Sequence, residues 1–76
     1  MKKAKCLSEL RVGECGKIKR LEVSGSLRRR FLDIGFMQGT RIECVGKSPF
    51  GDPRAYFLRG CEIAIRQKDA EKIIVE

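Results

Sequence analysis

Ser24-Gly25-Ser26-Leu27-Arg28-Arg29-Arg30-Phe31-Leu32-Asp33-Ile34-Gly35-Phe36 is the stretch of this chain with a clear helical period, and the rest is read around it. Leu27, Phe31 and Ile34 recur at i, i+4 and i+7, which makes one apolar stripe with Leu32 beside it. Arg28, Arg29, Arg30 and Asp33 lie off that stripe. Ser24-Gly25-Ser26 is turn chemistry, and either serine can cap the helix start. Gly35 stands where a left-handed residue ends a helix, and Phe36 where the next residue folds back onto it.

On both sides of this helix the chain breaks into strand-length pieces. Lys17 to Val23 reads as the first strand, and its apolar residues Ile18, Leu21 and Val23 change phase between Lys19 and Arg20, as a bulge or sharp bend produces. Before it, Leu7-Ser8-Glu9-Leu10 fits one helical turn, followed by a reversal at Gly13. After the helix, Gly39-Thr40 breaks the chain and Arg41 to Val45 is a second strand, with Ile42 and Cys44 on one face. Ala55 to Arg59 and Cys61 to Arg66 are two strands reversed around Gly60. Gln67 to Glu71 is a polar, single-turn segment, and Lys72 to Glu76 closes the chain as a strand. Five short strands cannot cover both faces of a flat sheet, so the expected fold is mainly β, a small and strongly bent barrel with one inserted helix.

At 76 residues the chain is one domain, with a hydrophobic fraction of 42%, enough for a small core. No apolar run approaches the roughly 18 residues of a membrane span. The basic start Met1-Lys2-Lys3-Ala4-Lys5 is followed by no hydrophobic stretch, so it is not read as a secretory signal and the expected location is cytoplasmic. Seventeen Lys and Arg against ten Asp and Glu give a net charge of +7, which points to acidic partners: nucleic acid, an anionic membrane surface or an acidic protein face.

The absence of His removes the commonest general base and metal ligand. Without it no cysteine has an activating base, and with no carboxylate pair or cofactor fingerprint the chain is not read as an enzyme. Four cysteines stand at Cys6, Cys15, Cys44 and Cys61, with no Cys-x-x-Cys spacing. Cys44 and Cys61 share strand faces with isoleucines and are expected to be small buried hydrophobes. Cys6 and Cys15 lie in less regular sequence. They are either candidate ligands for a soft or regulatory divalent metal, Fe2+ or Zn2+, or sites of intermolecular pairing; no cofactor is required.

Two segments are candidate partner-binding sites. Arg28-Arg29-Arg30 is the densest positive feature, but three successive helix residues spread over about 300°, so they cannot face one way. Lys17, Lys19 and Arg20 are expected to enlarge the patch. Nucleic-acid binding also calls for exposed aromatics; at 7% aromatic content, with Phe31, Phe36 and Phe57 expected in the core, that partner is disfavoured. Ser48-Pro49-Phe50-Gly51-Asp52-Pro53 is a stiff loop with Phe50 at its tip. It reads as a connector or, through Pro49, Phe50 and Asp52, as a docking loop that loses little entropy on binding.

Across nearly the whole chain, a set of segments in fixed order resembles the ferrous iron transport protein A (FeoA) family. They are Leu7-Ser8-Glu9-Leu10 with Gly13-Glu14, Gly16-Lys17-Ile18, Arg30-Phe31-Leu32-Asp33-Ile34-Gly35-Phe36, Gly39-Thr40 with Ile42, Ser48 to Pro53, Ile63-Ala64-Ile65-Arg66 and Ile73-Ile74-Val75. The chain departs mildly from the family pattern at Phe31, where Leu is usual, and near Gln38, where Pro or a similar residue is usual. The resemblance implies a Src-homology-3-like (SH3-like) β-barrel. It implies a non-catalytic cytosolic accessory of ferrous-iron uptake, whose partner is the membrane transporter FeoB with its cytosolic GTPase part. A similar domain also ends some metal-dependent transcriptional repressors, where it follows a DNA-binding domain that this chain has no room to contain; from its positive charge, a small basic nucleic-acid-binding or metal-responsive regulatory barrel is the alternative. Exposed barrel edges and scattered cysteines both permit a homodimer.

Overall fold

The computed structural model describes residues 4–76; the basic start Met1-Lys2-Lys3 lies outside the described residues. Nine elements follow in order: strand β1 (Lys5–Cys6), a 3-10 turn (Leu7–Glu9), β2 (Cys15–Leu21), helix α1 (Gly25–Ile34), β3 (Arg41–Lys47), β4 (Arg54–Leu58), β5 (Cys61–Ile65), a one-turn helix α2 (Gln67–Ala70) and β6 (Ile73–Val75). The strands form one antiparallel sheet in the order β1-β6-β2-β3-β4-β5. Among the described residues there are six strands rather than the expected five. The extra one, β1, has only two residues, too few to carry an alternation, and it exists because Lys5 and Cys6 pair with Val75 and Ile74.

The sheet bends at Ile18. The first half of β2, Cys15 to Lys17, pairs with β3, while Ile18 to Leu21 pairs with β6. A register shift between Ile18 and Arg20 marks the bulge that the phase change predicts. A strand that changes partner part-way wraps the sheet around its own inner face. That face holds the core of Leu7, Leu10, Ile18, Ile42, Cys44, Tyr56, Leu58, Ile65, Ile73 and Val75.

The end of α1 closes as expected. The Gly35 N–H donates to the Leu32 carbonyl at 3.1 Å and the Phe36 N–H to the Phe31 carbonyl at 2.9 Å, the paired bonds of a Schellman ending. Gly35 sits at φ 120°, and Phe36 is buried with its ring centroid 4.8 Å from that of Phe31. At the other end Ser24 occupies the cap position, with extended backbone but no side-chain cap hydrogen bond. The β4–β5 turn puts both central residues at positive φ, Arg59 at 49° and Gly60 at 81°, the type I′ geometry that matches strand twist.

Two expectations fail on facing. Phe57 is 44% exposed rather than in the core, and Cys61 is exposed, while Cys44 is buried as expected. Tyr56 fills the core position beside Phe57, so strand alternation turns Phe57 outward, between Glu43 and Glu62 on the neighbouring strands. Cys61 stands next to the hairpin turn, opposite Leu58, and its side chain is exposed.

Arg54 ties the two ends of the barrel together. Its Nη1 donates to the carbonyls of Ser8 at 3.0 Å and Leu10 at 2.8 Å, which satisfies the end of the 3-10 turn. Beside it Tyr56 is fully buried, and burial pushes its hydroxyl above the ordinary tyrosine range. Tyr56 is the one tyrosine in a chain without tryptophan, so tyrosinate absorbance reads it alone. The folded pKa lies above the unfolded value of about 10, so its contribution to stability is fully present below pH 10. As pH climbs past that point the unfolded chain ionises first, and stability falls until the native hydroxyl also titrates. The native titration midpoint is expected above that in denaturant; equal midpoints would contradict the buried placement.

Candidate functional site

The Ser48–Pro53 loop is held from within. The Ser48 N–H donates to the Pro53 carbonyl at 3.1 Å, the Ser48 Oγ to the Asp52 carbonyl at 2.8 Å, and the Gly51 N–H to the Ser48 carbonyl at 2.8 Å. The Asp52 Oδ1 in turn accepts the Gln67 N–H at 2.8 Å, bracing the loop against the start of α2. Phe50 stands at the tip of this closed frame, 96% exposed, beside an exposed Pro49. The expected docking set therefore divides by role: Phe50 and Pro49 face outward, while the Asp52 carboxylate is engaged in holding the loop.

The three arginines of α1 separate, as their angular spread requires. Arg28 donates to the Leu21 carbonyl at 3.2 Å and lines an open groove with Lys19, Arg20, Leu32 and Met37. Arg30 lines a different groove, facing Ile63 and Arg66. Arg29 is exposed. Of the cations expected to enlarge the patch, Lys19 and Arg20 join Arg28, and Lys17 is not among the residues of that groove. Arg20 is partly neutralised by Glu22 at 2.9 Å, the one ion pair among the described residues. The Arg28 groove is a mixed surface, because Leu32 is 41% and Met37 56% exposed. Leu32 was legible as lying beside the apolar stripe; Met37 follows the helix ending and carries no such signal.

Cys6 and Cys15 do not converge. Cys6 stands opposite Ile74, which on its other side stands opposite Arg20; Cys15 is at the far end of β2, opposite Glu43. Among the described residues no group of three or more His, Cys, Asp or Glu side chains gathers as for a metal ion. Burial first, then the charges of Glu9, Glu71 and Glu22, raise the Cys6 thiol pKa above the ordinary cysteine value. The Cys15 Sγ instead accepts a hydrogen bond from Arg41 Nη2 at 3.3 Å. No helix among the described residues is long and apolar enough to cross a membrane.

Comparison with known proteins gives this surface a family. The model of the FeoA domain matches residues 5–76. The chain belongs to the FeoA domain family. Over 70 residues it is 40% identical to a protein of Porphyromonas gingivalis (strain ATCC BAA-308 / W83) named as an Fe(2+) transport protein A/Fe(2+) transporter FeoB fusion. The match takes in 92% of this chain and 8% of that relative, so the chain spans a small part of the relative's length. A FeoA-like protein from Clostridium acetobutylicum superposes with a TM-score of 0.87 at 36% identity, covering 100% of this chain and 88% of that one. The FeoA of Stenotrophomonas maltophilia, solved with zinc and described as a prokaryotic SH3 domain protein, superposes at 0.83 with 24% identity, covering 93% and 88%. That last likeness concerns the fold alone: this FeoA domain is a mainly antiparallel SH3-like barrel, in agreement with the bent barrel expected from the residues and the SH3-like form implied by the resemblance. The FeoA family is one of ferrous iron transport.

Proposed function

We propose that this FeoA domain is a non-catalytic, cytoplasmic accessory of ferrous-iron uptake that docks on the cytosolic side of a FeoB-type transporter through the Ser48–Pro53 loop, with the basic groove at Arg28 as a flanking contact. The observation that carries the reading is the Porphyromonas gingivalis relative, in which a domain 40% identical to this chain shares one polypeptide with an Fe(2+) transporter. Joining two modules in one chain raises their local concentration at each other, an arrangement that favours contact between them. The loop geometry supports docking. Phe50 offers an aromatic side chain on a frame already closed by hydrogen bonds, so little conformational entropy is lost on contact. An aromatic anchor in a partner pocket is the usual centre of such an interface.

The test is ferrous-iron uptake under limiting iron in cells lacking the protein, rescued with the normal chain, Phe50→Ala, or Arg28→Glu with Arg29→Glu. Deletion is expected to lower uptake and the normal chain to restore it, with Phe50→Ala restoring less than about half, the effect of losing an interface anchor of 1 kcal/mol or more. Phe50 is exposed, so its removal is expected to change stability by no more than about 0.5 kcal/mol, checked by thermal denaturation. Full rescue by Phe50→Ala makes the loop a connector. Unchanged uptake on deletion overturns the accessory role itself.

A further inference from the structure

We propose that the free edge of β5, with the apolar stripe of α1 beside it, takes up an extended, acidic and apolar segment of a partner chain as an added strand. The sheet order ends at β5, which among the described residues pairs with β4 alone. Because the type I′ turn closes on Leu58 and Cys61 as a hydrogen-bonded pair, the alternation of an antiparallel ladder turns Cys61, Ile63 and Ile65 toward β4. The N–H and C=O of Glu62 and Ala64 therefore point off the sheet, both residues are exposed, and no turn or loop backbone group among the described residues bonds to them. Protein edges are usually guarded by charged side chains, above all Lys, by Pro or by a bulge. Between Cys61 and Ile65 there is no Lys and no Pro, the one charged residue is Glu62, and the register with β4 runs without a shift.

The second observation is the helix alongside. Leu27, Arg30, Phe31 and Ile34 form one wall of an open groove of about 300 Å³, whose other wall is Ile63, Ala64, Arg66 and Asp69. The apolar stripe of α1 is covered at Phe31 but only half covered at Leu27, and Ile34 is 37% exposed. It is short of cover because the sheet stops at β5. A strand laid along that edge would satisfy the free groups of Glu62 and Ala64 and place every second side chain on the stripe.

Charge selects the occupant. Arg30 and Arg66 flank the groove without an ion pair among the described residues, against Asp69 in its lining and Glu62 on the edge beside it. With a net charge of +7 a second copy is repelled by this chain, whereas an acidic segment is drawn to it and meets Arg30 and Arg66 in the groove. This inference rests on the reading that the domain works by docking, and it names a second contact and its chemistry.

The experiment uses the full 15N-labelled chain and two acetylated nonapeptides, one alternating Val with Glu and the other Val with Lys. The Val/Glu peptide is expected to shift the Glu62 and Ala64 amides and slow their exchange at least about tenfold, while the Val/Lys peptide does neither. Arg30→Glu combined with Arg66→Glu, both at exposed positions, is expected to weaken the Val/Glu peptide at least about tenfold. Shifts confined to residues 48–53 or to the Arg28 groove, or none at millimolar peptide, overturn the proposal. Protection of the same amides by raising protein concentration alone gives the edge to a second copy and also overturns it. Iron uptake is read separately, so failure here leaves the loop assignment standing, and failure there leaves the edge measured as a binding site.

Discussion

Phe36→Ala is expected to cost about 3–5 kcal/mol of folding stability, the usual loss for a large aromatic side chain removed from a core. Phe36 is 1% exposed and lies against Phe31 at 4.8 Å between ring centroids, so the substitution removes both the buried area and the aromatic contact. Domains of this length hold roughly 4–11 kcal/mol in total. The loss is therefore a large fraction of the whole, and the melting temperature followed by circular dichroism should fall on the order of 15–30 °C. A loss below about 1 kcal/mol would mean that the pocket refills, and that the helix ending is not what fixes α1 to the barrel.

Gly35→Ala is expected to cost about 1–3 kcal/mol, because φ 120° is a conformation that side chains rarely adopt. A second effect competes to explain any loss: an added Cβ would overlap the Arg59 Cδ, since that side chain lies across Gly35. Arg59 is exposed and flexible, and it can swing away at the cost of about one rotamer change. The backbone term should dominate. Chemical denaturation of Gly35→Ala made with and without Arg59→Ala separates the two. Most of the loss is expected to persist in the Arg59→Ala background; its disappearance there would assign the cost to the overlap instead.

These two residues are also where sequence and structure agree most closely. Gly35 and Phe36 act through hydrogen bonds back to Phe31 and Leu32, so their role is written within six consecutive residues. The bulge in β2 is of the same kind, visible as a phase change between Lys19 and Arg20 and found as a register shift there. The reversal at Gly60 likewise needs only adjacent residues. The exposed tip of the Ser48–Pro53 loop was legible too, because two prolines and a glycine leave Phe50 no strand to belong to.

The sequence on its own therefore determined the family, the barrel with its inserted helix, how that helix ends, and the loop that presents Phe50. The tertiary structure alone decided which side chains face where and which are already occupied. β1 forms only because Lys5 meets Val75 across the length of the chain, Arg54 is fixed by carbonyls at Ser8 and Leu10, and Asp52 is drawn into bracing Gln67. Phe57 turns outward because Tyr56 takes the core position, a choice set by register with β3 and β5. The division follows range. Turns, caps and bulges are settled by backbone sterics among neighbours in sequence, whereas burial and pairing depend on partners tens of residues away, and no local pattern carries their identity.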